Sequence, residues 1–148
     1  MANVQNILTV KGQAVWTVPA DAQVREALQV MVEKNIGAVL VVADGQINGI
    51  FSERDYARHV SQQDDLLLDQ PVSGLMTRSV YYVHPQQTVE DCMAIMTSRH
   101  IRHLPVLDQD NALAGLVSIG DVINNILQDR EHTIKDLKTY ILGQDVSS

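Results

Sequence analysis

Two heptapeptides decide the fold: Gly49-Ile50-Phe51-Ser52-Glu53-Arg54-Asp55 and Gly115-Leu116-Val117-Ser118-Ile119-Gly120-Asp121. Gly, Ser and Asp recur at the same places with a spacing of 66 residues. Pro19 finds Pro85 at that offset, while Val24, Leu28, Met31, Ile36 and Val41 find Val89, Met93, Met96, Ile101 and Val106 at 65. One single-residue gap in each copy reconciles the two offsets, and self-similarity at a fixed period outranks any local reading. The copies run over residues 11–62 and 77–128, with the acidic and apolar stretch from Asp64 to Pro71 between them and an extension over 129–143.

Within a copy the hydrophobic period changes in a fixed order. Val15 to Val18 reads as a short strand ended by Pro19. Val24, Ala27, Leu28, Met31 and Val32 then fall on one helical face, with Asp21 placed to cap it. Ile36 to Val42 is a β-branched run suited to a strand buried on both faces, Asp44-Gly45 is a hairpin turn, and Ile47 to Phe51 is the returning arm. Ser52 opens a second helix over 53–62. The second copy repeats this order: Val80 to Val83 as strand, Thr88 to Arg99 as helix, Leu104 to Leu107 and Ala114 to Val117 as hairpin, and a helix from Ser118. The expected fold is α+β, two β-α-β-β-α repeats of three strands each packed about a pseudo-twofold axis. Ile134, Leu137, Tyr140 and Ile141 continue at helical spacing to Gly143 as a C-terminal helix whose apolar stripe suits a second subunit, so a homodimer is expected.

The composition narrows the function. A net charge of −7 and a pI near 5.0 supply no cationic field for a phosphate backbone or anionic lipid, so neither nucleic acid nor membrane is an expected partner. The longest near-apolar run, Ile36 to Ala43, is far short of the roughly 20 residues of a membrane span. Cys92 is the single cysteine and has no CxxC partner, which points to a reducing, cytoplasmic setting. His84, His100 and His103 with Cys92 match no zinc spacing, and Cys92 shares a helical apolar face with Met93 and Met96. No phosphate-binding GxxxxGK[ST], no GxGxxG and no GxSxG occurs, and no nucleophile stands next to a base, so no enzymatic activity is expected.

With these residues in hand the chain resembles the CBS-domain family, named after cystathionine β-synthase, and in particular a stand-alone CBS pair, or Bateman module. The resemblance covers residues 11–128 and is carried by the two heptapeptides, by Ile101-Arg102-His103-Leu104-Pro105-Val106 and by Leu75-Met76-Thr77. It implies a regulatory module that binds an adenine nucleotide (AMP, ADP, ATP or NAD) in the cleft between the two repeats. Such a module signals through conformation or assembly to an effector protein that the sequence does not identify.

Asp55 and Asp121 have two readings: a helix cap that complements the macrodipole, or a carboxylate that accepts both hydroxyls of a ribose beside a helix N-terminus suited to phosphate. Repetition and the resemblance favour the ribose, most of all at Asp121, with Ser118 at the helix start. The resemblance further implies that Arg102 and His103 reach the phosphates, where the first copy has only Gly37 and Ala38. It draws the adenine slot of that cleft from Lys11, Ala14, Trp16, Ile36, Gly37 and Ala38, although Trp16 and Ile36 suit plain core packing equally well. The second cleft would use Ser52, Asp55, Thr77, Ser79, Val80 and Ile101, with Arg54 either a phosphate contact or simply solvated. The nucleotide is a regulatory ligand, with no cofactor and no metal required. The alternative is a structural dimerisation domain that binds no ligand.

Overall fold

In the computed structural model the order of elements is α1 (Val4–Lys11), β1 (Thr17–Pro19), α2 (Val24–Lys34), β2 (Ala38–Ala43), β3 (Gln46–Ser52), α3 (Glu53–Gln63), a 3-10 turn at Val72–Gly74, α4 (Val89–Arg99), β4 (His103–Leu107), β5 (Leu113–Ser118) and α5 (Ile119–Leu142). The structure describes residues 2–142, apart from the side chains of His132, Thr133 and Leu142, so Gly143 lies outside the described residues. The chain forms two compact units, one of Ala14–Tyr81 and one that joins Met1–Gln13 to Tyr82–Ser148. The fold is α+β, with one copy of the repeat in each unit.

In the first-repeat unit, β1 pairs in parallel with β2, and β2 pairs antiparallel with β3. The hairpin turn is the one Asp44-Gly45 demands: both residues have positive φ, 52° and 73°, the left-handed twist that a two-residue hairpin needs. Val39, Val41 and Phe51 from the sheet pack with Val24, Ala27 and Met31 of α2, and with Leu67, Val72, Leu75 and Met76 from the segment after α3. Burial of each of the Val, Leu, Met and Phe side chains contributes about 1.5–3 kcal/mol. Three local readings are corrected here. The strand begins at Thr17, not Val15, and α2 is preceded by Gln23 with no side-chain cap, leaving Asp21 outside. Val32 is 82% exposed, because it sits at the edge of the stripe that Val24, Ala27 and Met31 bury.

In the second-repeat unit, β4 and β5 form an antiparallel hairpin closed by Asp108, whose carboxylate accepts the Asp110 and Ala112 amides. The expected strand Val80 to Val83 shrinks to a single parallel bridge between Val83 and Val106, so this sheet has two strands. The cause is one residue. In the first repeat the Leu40 amide donates to the Trp16 carbonyl and extends the β1–β2 ladder; Pro105 occupies the matching position and has no N–H to give. Val83 still exchanges bonds with the Pro105 carbonyl and the Leu107 amide. Cys92 and Met96 of α4 are buried as expected, whereas Met93 is 43% exposed.

Each repeat is completed by chain from outside its own copy. The Val24 amide at the start of α2 donates to the Gln70 carbonyl, and its counterpart, the Val89 amide at the start of α4, donates to Ala2. Sequence reading left Met1–Gly12 without structure, yet α1 forms there. Asn3 and Asn6 make a reciprocal capping box, Val4, Ile7 and Leu8 supply a buried face, and Gly12 ends the helix at φ 93°. Leu8 then fills the space left by the missing side chain of Gly115, where an added Cβ would lie 2.6 Å from Leu8 Cδ2. Helix α5 is continuous for 24 residues, so residues 129–142 prolong the helix of the second repeat and are not a separate element.

Candidate functional site

Both Gly-x-x-Ser-x-x-Asp segments fold alike because each runs from a strand into a helix whose first amides lack intrahelical partners. Ser52 and Asp55 satisfy them reciprocally: the Asp55 amide donates to Ser52 Oγ at 3.2 Å, and the Ser52 amide to Asp55 Oδ2 at 2.9 Å. Ser118 and Asp121 do the same at 3.2 and 2.8 Å. The first helical amide of each is held by the residue just before the neighbouring strand, Glu53 by the Gly37 carbonyl at 3.1 Å and Ile119 by the Arg102 carbonyl at 2.8 Å. The capping reading therefore holds for both acids. What remains of each carboxylate decides whether it can also bind.

Asp55 has little left. Its Oδ2 also accepts the Ser52 hydroxyl at 3.1 Å, and its Oδ1 accepts the Thr77 hydroxyl at 2.9 Å with Arg58 Nη1 at 3.8 Å. The residue is 6% exposed, the one buried charged residue among those described. Thr77 is brought there by an isolated bridge to Ile50, which is possible because Gly49 has no side chain: a Cβ would lie 2.6 Å from the Thr77 carbonyl oxygen. Of the residues expected beside Asp55, Ser52 and Thr77 meet it, and Arg54 is exposed on the first turn of α3. Ser79 is exposed and Val80 half-buried in the irregular chain after Thr77, while Ile101 belongs to the other unit and follows α4, its amide on the Met96 carbonyl.

Asp121 is more open. Its Oδ2 accepts the Ser118 amide and Lys11 Nζ, the latter at 2.7 Å, and among the described residues its Oδ1 has no partner. The side chain is 19% exposed. Lys11, assigned above to an adenine slot, reaches from the end of α1 to this carboxylate and to the Leu116 carbonyl at 2.8 Å. A groove beside the pair is lined by Ile7, Val10, Lys11, Asp121, Asn124, Asn125 and Gln128. Sequence reading missed its carboxamides, although Asn124, Asn125 and Gln128 follow Asp121 at helical spacing. Arg102 is exposed next to the first turn of α5, and His103 pairs in register with Ser118. Arg102, His103, Ser118, Asp121 and Lys11 thus share one unit.

The expected slot residues Ala14, Trp16, Ile36, Gly37 and Ala38 lie in the first-repeat unit. Trp16 is not core: it is 40% exposed, with Lys34 Nζ 4.4 Å from its ring centroid in a cation–π contact. Ile36 is half-buried after the left-handed turn at Asn35, and Ala38 is buried at the start of β2. Burial, helped by Asp91, pushes the Cys92 thiol up from 9.0 to about 11, which makes it a poor nucleophile. Among the described residues no three His, Cys, Asp or Glu side chains gather as a metal site, and no helix is long and apolar enough to cross a membrane.

The comparison with protein families matches the CBS-domain model twice, over residues 9–62 and 72–128. The chain belongs to the CBS-domain family. CBSX3, a mitochondrial CBS domain-containing protein of Arabidopsis thaliana, is 34% identical over 137 residues, covering 89% of this chain and 66% of that protein. A putative signal-transduction protein with CBS domains from Burkholderia ambifaria superposes with a TM-score of 0.82 at 44% identity, over 86% of this chain and 96% of that one. The CBS domain protein PAE2072 from Pyrobaculum aerophilum, solved in complex with AMP, matches with a TM-score of 0.70 at 25% identity over 80% of this chain and 88% of its own.

Proposed function

We propose that this CBS pair is a regulatory module whose ligand is an adenine nucleotide, and that Asp121 is the acid that holds its ribose. The observation that carries the reading is Oδ1 of Asp121 at the start of α5, without a partner among the described residues, with Arg102 beside the same helix turn. An ionised carboxylate accepts hydroxyl donors strongly, and the positive end of a helix dipole with a nearby guanidinium favours a phosphate. The AMP complex of PAE2072 supports the same class of ligand. Lys11, Ala14, Trp16, Ile36, Gly37, Ala38, His103 and Ser118 are the further binding residues in this reading. Ser52, Arg54, Asp55, Thr77, Ser79, Val80 and Ile101 form a second, weaker site.

A ligand shifts a conformational equilibrium only by its difference in affinity for the two states, so the regulatory output depends on AMP, ADP, ATP or NAD favouring one arrangement of the module. Melting with each nucleotide tests the reading. A ligand at a hundredfold excess over its Kd contributes about 2.7 kcal/mol, a shift of several degrees for a domain of this size. AMP, ATP or NAD should raise the melt without being consumed, and ribose 5-phosphate should not. If no adenine nucleotide moves the melt and none is released on denaturation, the chain is a structural dimerisation domain instead. Enzyme-dependent formation of product would make it a catalyst.

A further inference from the structure

Lys11 and Thr77 open the two copies of the repeat and stand 66 residues apart, the spacing that also separates Asp55 from Asp121. Each meets the acid of the copy it does not open: Thr77 Oγ1 donates to Asp55 Oδ1 at 2.9 Å, and Lys11 Nζ to Asp121 Oδ2 at 2.7 Å. A neutral hydroxyl suffices at the first acid, and a cation stands at the second. Fold stability does not account for the cation. The pair is partly exposed, 32% on the lysine side chain and 19% on the aspartate, and such a pair contributes little beyond the entropy cost of fixing a long side chain. Its larger effect is on the charge of the site.

We propose that Lys11 is a specificity-determining residue of the Asp121 site: its ammonium cancels the charge of the acid, so that the site takes a phosphorylated, anionic nucleotide in preference to a neutral nucleoside. The inference rests on the nucleotide reading and adds to it the charge of the ligand. Asp121 alone would set a full negative charge near the phosphate of any nucleotide whose ribose it holds, at about the 8 Å screening length of physiological salt. With Lys11 in place acid and base cancel, while Oδ1 still has no partner among the described residues and is left to accept a hydroxyl. The uncompensated charge is then Arg102, exposed next to the first turn of α5, whose guanidinium has no hydrogen-bond or ion-pair partner among the described residues. Its sign attracts an anion. Lys11 Nζ uses two of its three donors, on Asp121 Oδ2 and on the Leu116 carbonyl at 2.8 Å, so the ammonium is anchored beside the acid before a ligand arrives.

The test titrates AMP and adenosine separately into the full chain by calorimetry, with circular dichroism to check that each variant is folded. The parent should bind AMP more tightly than adenosine. Lys11→Met keeps the aliphatic stem and loses the charge, and should bind AMP about tenfold more weakly and adenosine within about twofold of the parent. Lys11→Arg keeps the charge and should keep the parent's preference. A parent that binds the two ligands alike, equal changes for both in Lys11→Met, or a Lys11→Arg protein that behaves like Lys11→Met overturns the role of Lys11. In each of those cases AMP still binds and the nucleotide reading stands. A parent that binds neither ligand overturns that reading, and this inference with it.

Discussion

Asp55 and Asp121 occupy the same place in the repeat, cap the same helix and part company over one neighbour. The residue that reaches Asp55 is Thr77, a short neutral donor carried in by a backbone bridge, and the carboxylate becomes buried and saturated. The residue at the matching position before the other copy is Lys11, a long flexible cation whose tip alone meets Asp121, and one carboxylate oxygen stays open. A repeat therefore does not imply two equal sites. The same motif yields a structural acid when its second oxygen is closed by its own unit, and a candidate ligand acid when it is not.

The two glycines that precede these acids offer the largest contrast. A Cβ on Gly49 would lie 2.6 Å from the Thr77 carbonyl oxygen and 2.7 Å from Met76 Sδ, so backbone must move. On Gly115 the obstacle is the outer methyl of Leu8. Gly49→Ala should cost about 3 kcal/mol and Gly115→Ala about 1 kcal/mol, read as shifts in urea midpoint. Equal costs would mean that the Thr77 bridge is no more rigid than a leucine side chain.

Next is the buried thiol, which the first repeat replaces with Ala27 at the matching position, equally buried. The Cys92 pKa rises from 9.0 to about 11 on folding. The neutral thiol thus stabilises the fold fully below pH 9, and that stabilisation is lost as pH rises to about 11, because the unfolded chain loses its proton first. The loss is at most about 2–3 kcal/mol. Cys92→Ala, tested by urea melts across this range, should lack that part of the alkaline decline. An identical decline in the variant would assign it to other groups.

The smallest contrast is between the two donors. Thr77→Ala leaves a buried carboxylate short of a hydrogen bond and should cost about 1–3 kcal/mol. Lys11→Ala removes an ion pair that is about one-third exposed on the lysine side, so its cost should stay within about 0.2–1 kcal/mol and fade with added salt. A salt-insensitive loss at Lys11 as large as that at Thr77 would erase the distinction between the two environments.

Much of this was legible in the residues. The repeat placed both helix-capping motifs, both hairpins and the helices after Ser52 and Ser118, because these rest on local chemistry: Gly-enabled turns, hydroxyl caps and β-branched runs. What escaped was non-local. Pro105 is visible in the sequence, but its effect on Val80–Val83 depends on a partner strand far along the chain. Helix α1 was hidden because its apolar face is only three residues, and its worth lies in filling the space over Gly115. The difference between the two acids was invisible for the same reason, since Thr77 and Lys11 are each distant in sequence from the carboxylates they meet.

Calorimetric titration of AMP into the parent, Asp121→Ala and Asp55→Ala tests the inequality of the two acids most directly. Two charge-assisted hydrogen bonds at about 1.5–3 kcal/mol each make a loss of about a hundredfold or more the expected result for Asp121→Ala. Asp55→Ala should melt earlier, yet below its melt it should bind AMP within a few-fold of the parent. An Asp121→Ala protein that binds AMP like the parent, or an Asp55→Ala protein that is folded and loses as much affinity, would contradict the assignment.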